Sequence, residues 1–257
     1  MALGRHSRHL MYALPVVLAL YVGRAFSQVP AQASIQAQLT LPQVVEKLVE
    51  RNALRAKALE SYKARRFYAL DYVGFPSNLH ADMSVDMAYF APATKEFHVV
   101  AENGPHWLVT HVLRKLLETE QEAIQEQNRR GIELNPNNYD FKAISYEQNE
   151  SGCTYVLSVE PKIATKFVYR GRIWVDNKDF AVCRIEAEPA KNPSFWIKKT
   201  EIRHLYKKVG DFWLPAENQS ISTFRFDGRA TLIIKYGEYE IHAQRLPPDS
   251  TAYNAGH

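Results

Sequence analysis

Cysteine is scarce in this chain, with two in 257 residues, and no Cys-x-x-Cys pair occurs. That excludes the dithiol and paired-thiolate motifs that redox and zinc sites commonly use. Two other motifs are missing. One is Gly-x-Ser-x-Gly, the turn that lifts a hydrolase nucleophile; the other is the glycine-rich loop that cradles a phosphate. His106 and His111 stand five apart, not the four that sets two imidazoles on one face of a helix. No metal site and no cofactor is therefore expected. Long apolar runs are missing too: Leu10–Val22 has 13 residues, against the roughly 20 that cross a bilayer as a helix.

That short run fits an export signal. Met1–His9 carries Arg5 and Arg8 and no acid, and Ala25-Phe26-Ser27 puts small residues where a signal peptidase cuts, before Gln28. The competing reading, an uncleaved anchor, is disfavoured by length. No cysteine follows the run, so the chain is not itself a lipoprotein. The expected location is the periplasm of a diderm bacterium. Residues 1–27 are the signal peptide, 28–38 a disordered lead-in, 39–241 a single domain and 242–257 a flexible tail containing Pro247-Pro248. Cleavage removes Arg5, Arg8 and Arg24 and no acid, so the net charge falls from +4 to +1. A near-neutral chain offers nucleic acid no general attraction.

Within the domain, Thr40-Leu41-Pro42-Gln43 reads as a capping box, with Leu39 and Val44 placed for a hydrophobic staple. A helix should run to about Leu59 with Val44, Val45, Leu48 and Val49 along one side. Strands are expected over Tyr62–Val73, Ala81–Phe90 and Lys95–Ala101. A second helix follows from His106 to about Arg129, apolar near Trp107–Leu117 and polar beyond, so that it lies over a sheet and then projects past it. From Tyr139 the pattern is strands only: Tyr139–Glu147, Cys153–Glu160, Lys166–Asp176, Phe180–Ala187, Ile197–Val209, Phe212–Phe224 and Arg229–Ile241. Short turns between them imply antiparallel neighbours. The predicted fold is α+β: a large curved antiparallel sheet of about ten strands, a half-open barrel with two helices, one covering its concave side.

The two cysteines look badly placed to join. Cys153 opens one strand and Cys183 lies in the next but one, with Phe167–Asp176 between. Two strand spacings come to about 9.6 Å, whereas a disulfide needs Cα atoms within about 7 Å. Two free, buried thiols are predicted.

Paired carboxylates, Asp82 with Asp86 and Glu186 with Glu188, share strand faces, and acid–base chemistry uses such pairs. Arg170, Arg172 and Arg184 on neighbouring strands offer them cross-strand partners, which marks a wet sheet face rather than a reactive site. His204, among Arg203 and Lys207, reads as a solvated strand residue. Aromatics are plentiful: four Trp, 12 Phe and 14 Tyr. A curled sheet can fill its concave side with them or hold an apolar ligand there.

A resemblance favours the ligand. Gly171–Asp176 (GRIWVD), Asp179–Val182 (DFAV), Pro189–Lys199 (PAKNPSFWIKK), Gly210–Ala216 (GDFWLPA) and Gly228–Leu232 (GRATL) resemble a LolA-like family of outer-membrane lipoprotein-sorting proteins. The likeness extends over roughly Thr40 to Ile241. It implies a half-open antiparallel barrel with helices across the hollow. It also implies a role like that of members that shield lipoprotein acyl chains, or of one that regulates an envelope-stress sigma factor. No functional residue of the family is carried over.

The expected function is thus a periplasmic carrier or chaperone for a lipid or lipoprotein acyl chain. Trp107, Val109, Leu113, Trp174, Phe195, Trp196 and Trp213 are the candidate lining. An inner- or outer-membrane protein is a candidate partner, and a monomer is expected. The alternative is a sensor or regulatory binding module of the envelope. A hydrolytic enzyme ranks last, because no nucleophile–base arrangement is legible.

Overall fold

A computed structural model describes residues 39–147, 152–192 and 194–246. The export signal, the lead-in and residues 247–257 lie outside them.

Helix α1 (Leu41–Ala58) starts as its capping signal predicts: the Thr40 N–H donates to Gln43 Oε1 at 2.9 Å. It runs directly into β1 (Leu59–Val73), with Leu59 already extended. β2 (Leu79–Phe90) and β3 (Thr94–Asn103) follow. A helical crossover comes next: α2 (His106–Leu108), a π-helical turn (Val109–Leu113), α3 (Arg114–Ala123) and α4 (Glu126–Ile132). Seven strands complete the chain: β4 (Tyr139–Tyr146), β5 (Cys153–Pro161), β6 (Tyr169–Asp176), β7 (Val182–Pro189), β8 (Ile197–Val209), β9 (Phe212–Phe224) and β10 (Arg229–Ala243). β10 thus reaches into the stretch expected to be tail.

The expected second helix is broken after Ala123. Gln125 is extended (ψ 146°), and the Asn128 side-chain amide donates to the Glu122 carbonyl at 2.8 Å where a backbone N–H would continue the helix. After Ile124 no run of apolar residues holds a straight continuation to the sheet.

All ten strands form one antiparallel sheet in the order β3-β2-β1-β10-β9-β8-β7-β6-β5-β4. It does not close into a barrel; β3 and β4 are its edges, and the helical crossover joins one edge to the other. Directly opposed residues of paired strands share a face. The row Met83–Tyr68–Ile234–Asn218–His204–Ile185–Ile173–Leu157 therefore crosses eight strands on one side. At one end of it, Tyr68 and Met83 pack with Leu108, Val109, Leu113 and Leu117 of the crossover. At the other, Ile185, Ile173 and Leu157 pack with Val44, Val45 and Leu48 of α1. Both helical parts lie on this inner face, as two separate apolar blocks.

The expectation of free thiols is overturned: Cys153 and Cys183 form a disulfide, with Cα atoms 6.2 Å apart. The flat-ladder distance fails because each strand carries a bulge there. Thr154 is the extra residue on β5 opposite Val175–Asp176, and Cys183 is the extra residue on β7 opposite Trp174–Val175. Bulges bend a strand and raise its twist, so the ends of β5 and β7 meet around the end of β6.

Candidate functional site

Between the two apolar blocks, the inner face changes character. β8 contributes Thr200, Ile202 and His204, and β9 opposes them with Ser222, Ser220 and Asn218. The Thr200 and Ser222 hydroxyls share a hydrogen bond of 2.9 Å, and Asn218 Nδ2 donates to the Tyr236 hydroxyl at 2.9 Å. Asn218 Oδ1 is buried without a partner among the described residues. His204 faces this half-buried saddle rather than open solvent, a correction to the sequence reading. Burial pushes its pKa down to about 4. Burial likewise pushes Tyr206 up to about 12, and raises Tyr169 and Tyr236. At neutral pH His204 and these tyrosines are therefore uncharged, yet they offer hydrogen bonds.

Beside this saddle, beneath the C-terminal half of α1, lies a cavity of about 320 Å³. Its walls include Ala56 and Leu59 at the end of α1, Leu134, Tyr169, Ile185, Tyr206, Phe212, Trp213 and Leu214. One cation, Arg55, borders it. Its guanidinium donates to the Asp211 carbonyl at 3.3 Å, to Asn52 Oδ1 at 3.3 Å and to the Asp179 carbonyl. These bonds pin α1 to the β6–β7 and β8–β9 turns. Burial lowers the Arg55 pKa, and Asp179 partly restores it. Asp179 also receives Trp213 Nε1 at 2.9 Å and Lys208 Nζ at 2.6 Å. This end of the molecule is stapled by hydrogen bonds, ion pairs and the disulfide together.

Larger depressions of about 630 and 620 Å³ lie on the outer face, but charged side chains wall them. Arg172 meets Glu186 there at 3.0 Å, and Arg65 meets Asp86 at 2.7 Å. The Arg65 hydrogen bonds hold the Asp86 carboxyl below its ordinary range. Both carboxylate pairs noted in the sequence thus decorate the outer face.

A second cluster of charge is enclosed on the inner face. Arg66, almost wholly buried on β1, donates to Glu120 of α3 at 2.7 and 3.1 Å, and Lys95 of β3 reaches the same carboxylate at 2.5 Å. The guanidinium also stacks on Tyr236 and Phe97. Sequence reading missed this trio, although Arg66 stands in phase with the inward-facing Tyr62, Ala64, Tyr68 and Leu70. That phase was the available signal.

The seven candidate lining residues are dispersed. Trp213 borders the cavity. Val109 and Leu113 are sealed in the core under the crossover, and Trp107 beside them turns outward. Trp174 points to the outer side of the sheet, opposite in phase to the inward Ile173 and Val175, but is buried there beneath Arg184 and Arg172 and packs with Val156, Cys183 and Trp213. Phe195 and Trp196 lie exposed in the β7–β8 connection. Their dispersal has one physical cause: aromatic content says nothing about which side of a strand, or which loop, a ring occupies.

With the geometry in place, the chain can be set beside known proteins. It is similar to several solved structures. A putative outer membrane lipoprotein-sorting protein domain from Vibrio parahaemolyticus matches with 11% identity and a TM-score of 0.40, over 83% of this chain and 97% of that one. A DUF1329 family protein from Desulfovibrio piger matches with 10% identity and a TM-score of 0.40, over 82% and 95%. A LolA superfamily protein from Nitrosomonas europaea has 13% identity and a TM-score of 0.34, over 82% and 96%. No family model and no curated protein matches the chain.

Proposed function

We propose that this protein is a periplasmic carrier or chaperone that shelters a lipid or lipoprotein acyl chain in the hollow of its inner face. The observation that carries the reading is the cavity of about 320 Å³ under α1, walled mainly by aliphatic and aromatic side chains with Asn52 and Arg55 at its border, beside a saddle of hydrogen-bonding groups. That volume lies at the lower end of the range of small-molecule sites. Each methylene hidden from water contributes about 0.8 kcal/mol, so a short stretch of acyl chain gains useful affinity without a charged anchor. The saddle of Asn218, Ser220 and His204 next to it suits the polar end of the same molecule. The sequence resemblance to lipoprotein-sorting proteins points the same way. Its partners on this reading are the acyl chain and an inner- or outer-membrane protein that loads or unloads it.

Filling the cavity is the cleanest test. Ala56 is exposed on α1 and borders the space, so Ala56→Trp adds bulk there without disturbing either core. Retention of a fluorescent fatty acid should fall at least tenfold while the melting temperature is kept. Equal retention by the folded variant refutes the reading. Leu113→Asp is a poorer test, because Leu113 is fully buried and an aspartate there would break the core it belongs to.

A further inference from the structure

The two ends of the sheet differ in what they expose. Antiparallel pairing gathers the β1–β2, β5–β6, β7–β8 and β9–β10 connections and the start of α2 at one end. Phe75 (80% exposed), Phe195 (72%), Trp196 (59%) and Phe226 (81%) all belong to that end. Trp107 and Ile163 stand exposed at the same end. Among the described residues the opposite end exposes Phe90, at the tip of β2, and Ile144, near the end of β4, and is otherwise the stapled end described above.

The four rings are presented by a fixed platform rather than by loose tips. Asp227 Oδ2 accepts the Phe75 N–H at 2.7 Å, which joins the β1–β2 turn to the β9–β10 turn. Arg225 Nε donates to the Phe195 carbonyl at 2.7 Å, and the Arg225 N–H donates to the Trp196 carbonyl at 2.9 Å, which joins the β9–β10 turn to the β7–β8 connection. Trp196 packs against Phe195 and Phe226, with centroids 5.6 and 5.7 Å apart. Three connections thus form one surface.

Its charge is one-sided. Residues 74–78, 190–199 and 224–229 carry Lys191, Lys198, Lys199, Arg225 and Arg229 against a single acid, Asp227, whose carboxylate is engaged by the Phe75 N–H. Glu201 takes up Lys199, but Lys191 and Lys198 have no ion-pair partner among the described residues. Aromatic rings with a cationic fringe match the interface of a bilayer, where Trp and its kin sit at headgroup level and Lys and Arg meet anionic lipid. The platform is made of protruding tips, not of a groove that would seat a peptide.

We infer that this aromatic end docks on the surface of a bilayer containing anionic lipid. The inference stands apart from the carrier reading, since docking here needs no ligand in the hollow. The chain from Gln28 onward keeps the whole described domain and lacks the apolar run Leu10–Val22. It should cosediment with vesicles of phosphatidylglycerol and phosphatidylethanolamine, and bind phosphatidylcholine vesicles far less. Trp196→Ser with Phe226→Ser should reduce the bound fraction at least tenfold, and Lys191→Glu with Lys198→Glu severalfold, each with an unchanged melting temperature. No binding to the anionic vesicles, equal binding to phosphatidylcholine, or full binding by the folded aromatic variant would each overturn it. So would a dimer in analytical ultracentrifugation that the aromatic variant abolishes, which would make a second copy the occupant.

Discussion

Glu120 and Arg66 bind the helical crossover to the sheet through an ion pair of 2.7 Å, enclosed between α3 and β1 and shared with Lys95 of β3. Breaking such a pair leaves a buried charge uncompensated, which is costly. Glu120→Gln should therefore destabilise the protein by about 3 kcal/mol, measured by urea unfolding at neutral pH. Replacing Glu118, exposed on the same helix and paired with Lys115 in solvent, should change stability by less than about 1 kcal/mol.

The same pair sets part of the acid response. Burial alone would raise the Glu120 pKa, but Lys95 and Arg66 outweigh it and hold the carboxyl at about 2. Its contribution is complete above the unfolded value of 4.5 and is lost as pH falls toward 2. His204 acts earlier. With a folded pKa of about 4 against 6.5 unfolded, the unfolded chain takes the proton first, so stability declines from 6.5 down to 4. His204→Gln should flatten the part of the stability curve between these values and leave the Glu120 region unchanged. A histidine ring that titrates near 6.5 by NMR at this position would contradict the enclosed saddle.

The disulfide makes a simple chemical prediction. Protein unfolded without reductant should show no reactive thiol. The bridge spans 30 residues, a loop whose closure stabilises by about 3.5 kcal/mol in the chain-entropy picture. Replacing both Cys153 and Cys183 by serine should lower stability by roughly that amount. Two reactive thiols in the oxidised protein would restore the flat-ladder reading.

The ten strands and the start of α1 were legible because alternation, turn residues and the capping box agreed. Of the apolar face read over Trp107–Leu117, Val109 and Leu113 are buried against the sheet, whereas Trp107 turns outward at the start of the crossover. The disulfide was illegible because it depends on two bulges, and neither Thr154 nor Cys183 differs in type from an ordinary strand residue. The enclosed Arg66 was missed because charge usually marks an outward position, although its phase with Tyr68 and Leu70 pointed inward. Phe195 and Trp196 were assigned to the hollow for their size, although the prolines and lysines around them mark a connection.

Gly228 supports the aromatic end through its backbone. Its φ is +93°, and a Cβ there would sit 2.4 Å from the Tyr72 hydroxyl and 2.6 Å from Tyr72 Cε2. Gly228→Ala should cost about 2 kcal/mol and unsettle the β9–β10 turn. Reduced vesicle binding should accompany the lower melting temperature.

Export can be checked directly. Protein recovered from the periplasmic fraction should begin at Gln28 by N-terminal sequencing. Retention of Met1–Ser27 in a membrane fraction would favour an anchor.

The order of the strands makes the pairing of the sheet independent of the crossover. β1 and β10 lie side by side in mid-sheet, so the parts of the chain before and after the helices are already zipped together without them. A protease nick at Ile124–Gln125 would leave a two-fragment complex still paired along β1 and β10. By the same logic, the crossover adds to the fold through side chains alone, its buried apolar face and the Glu120–Arg66 pair, and through no rung of the sheet's ladder.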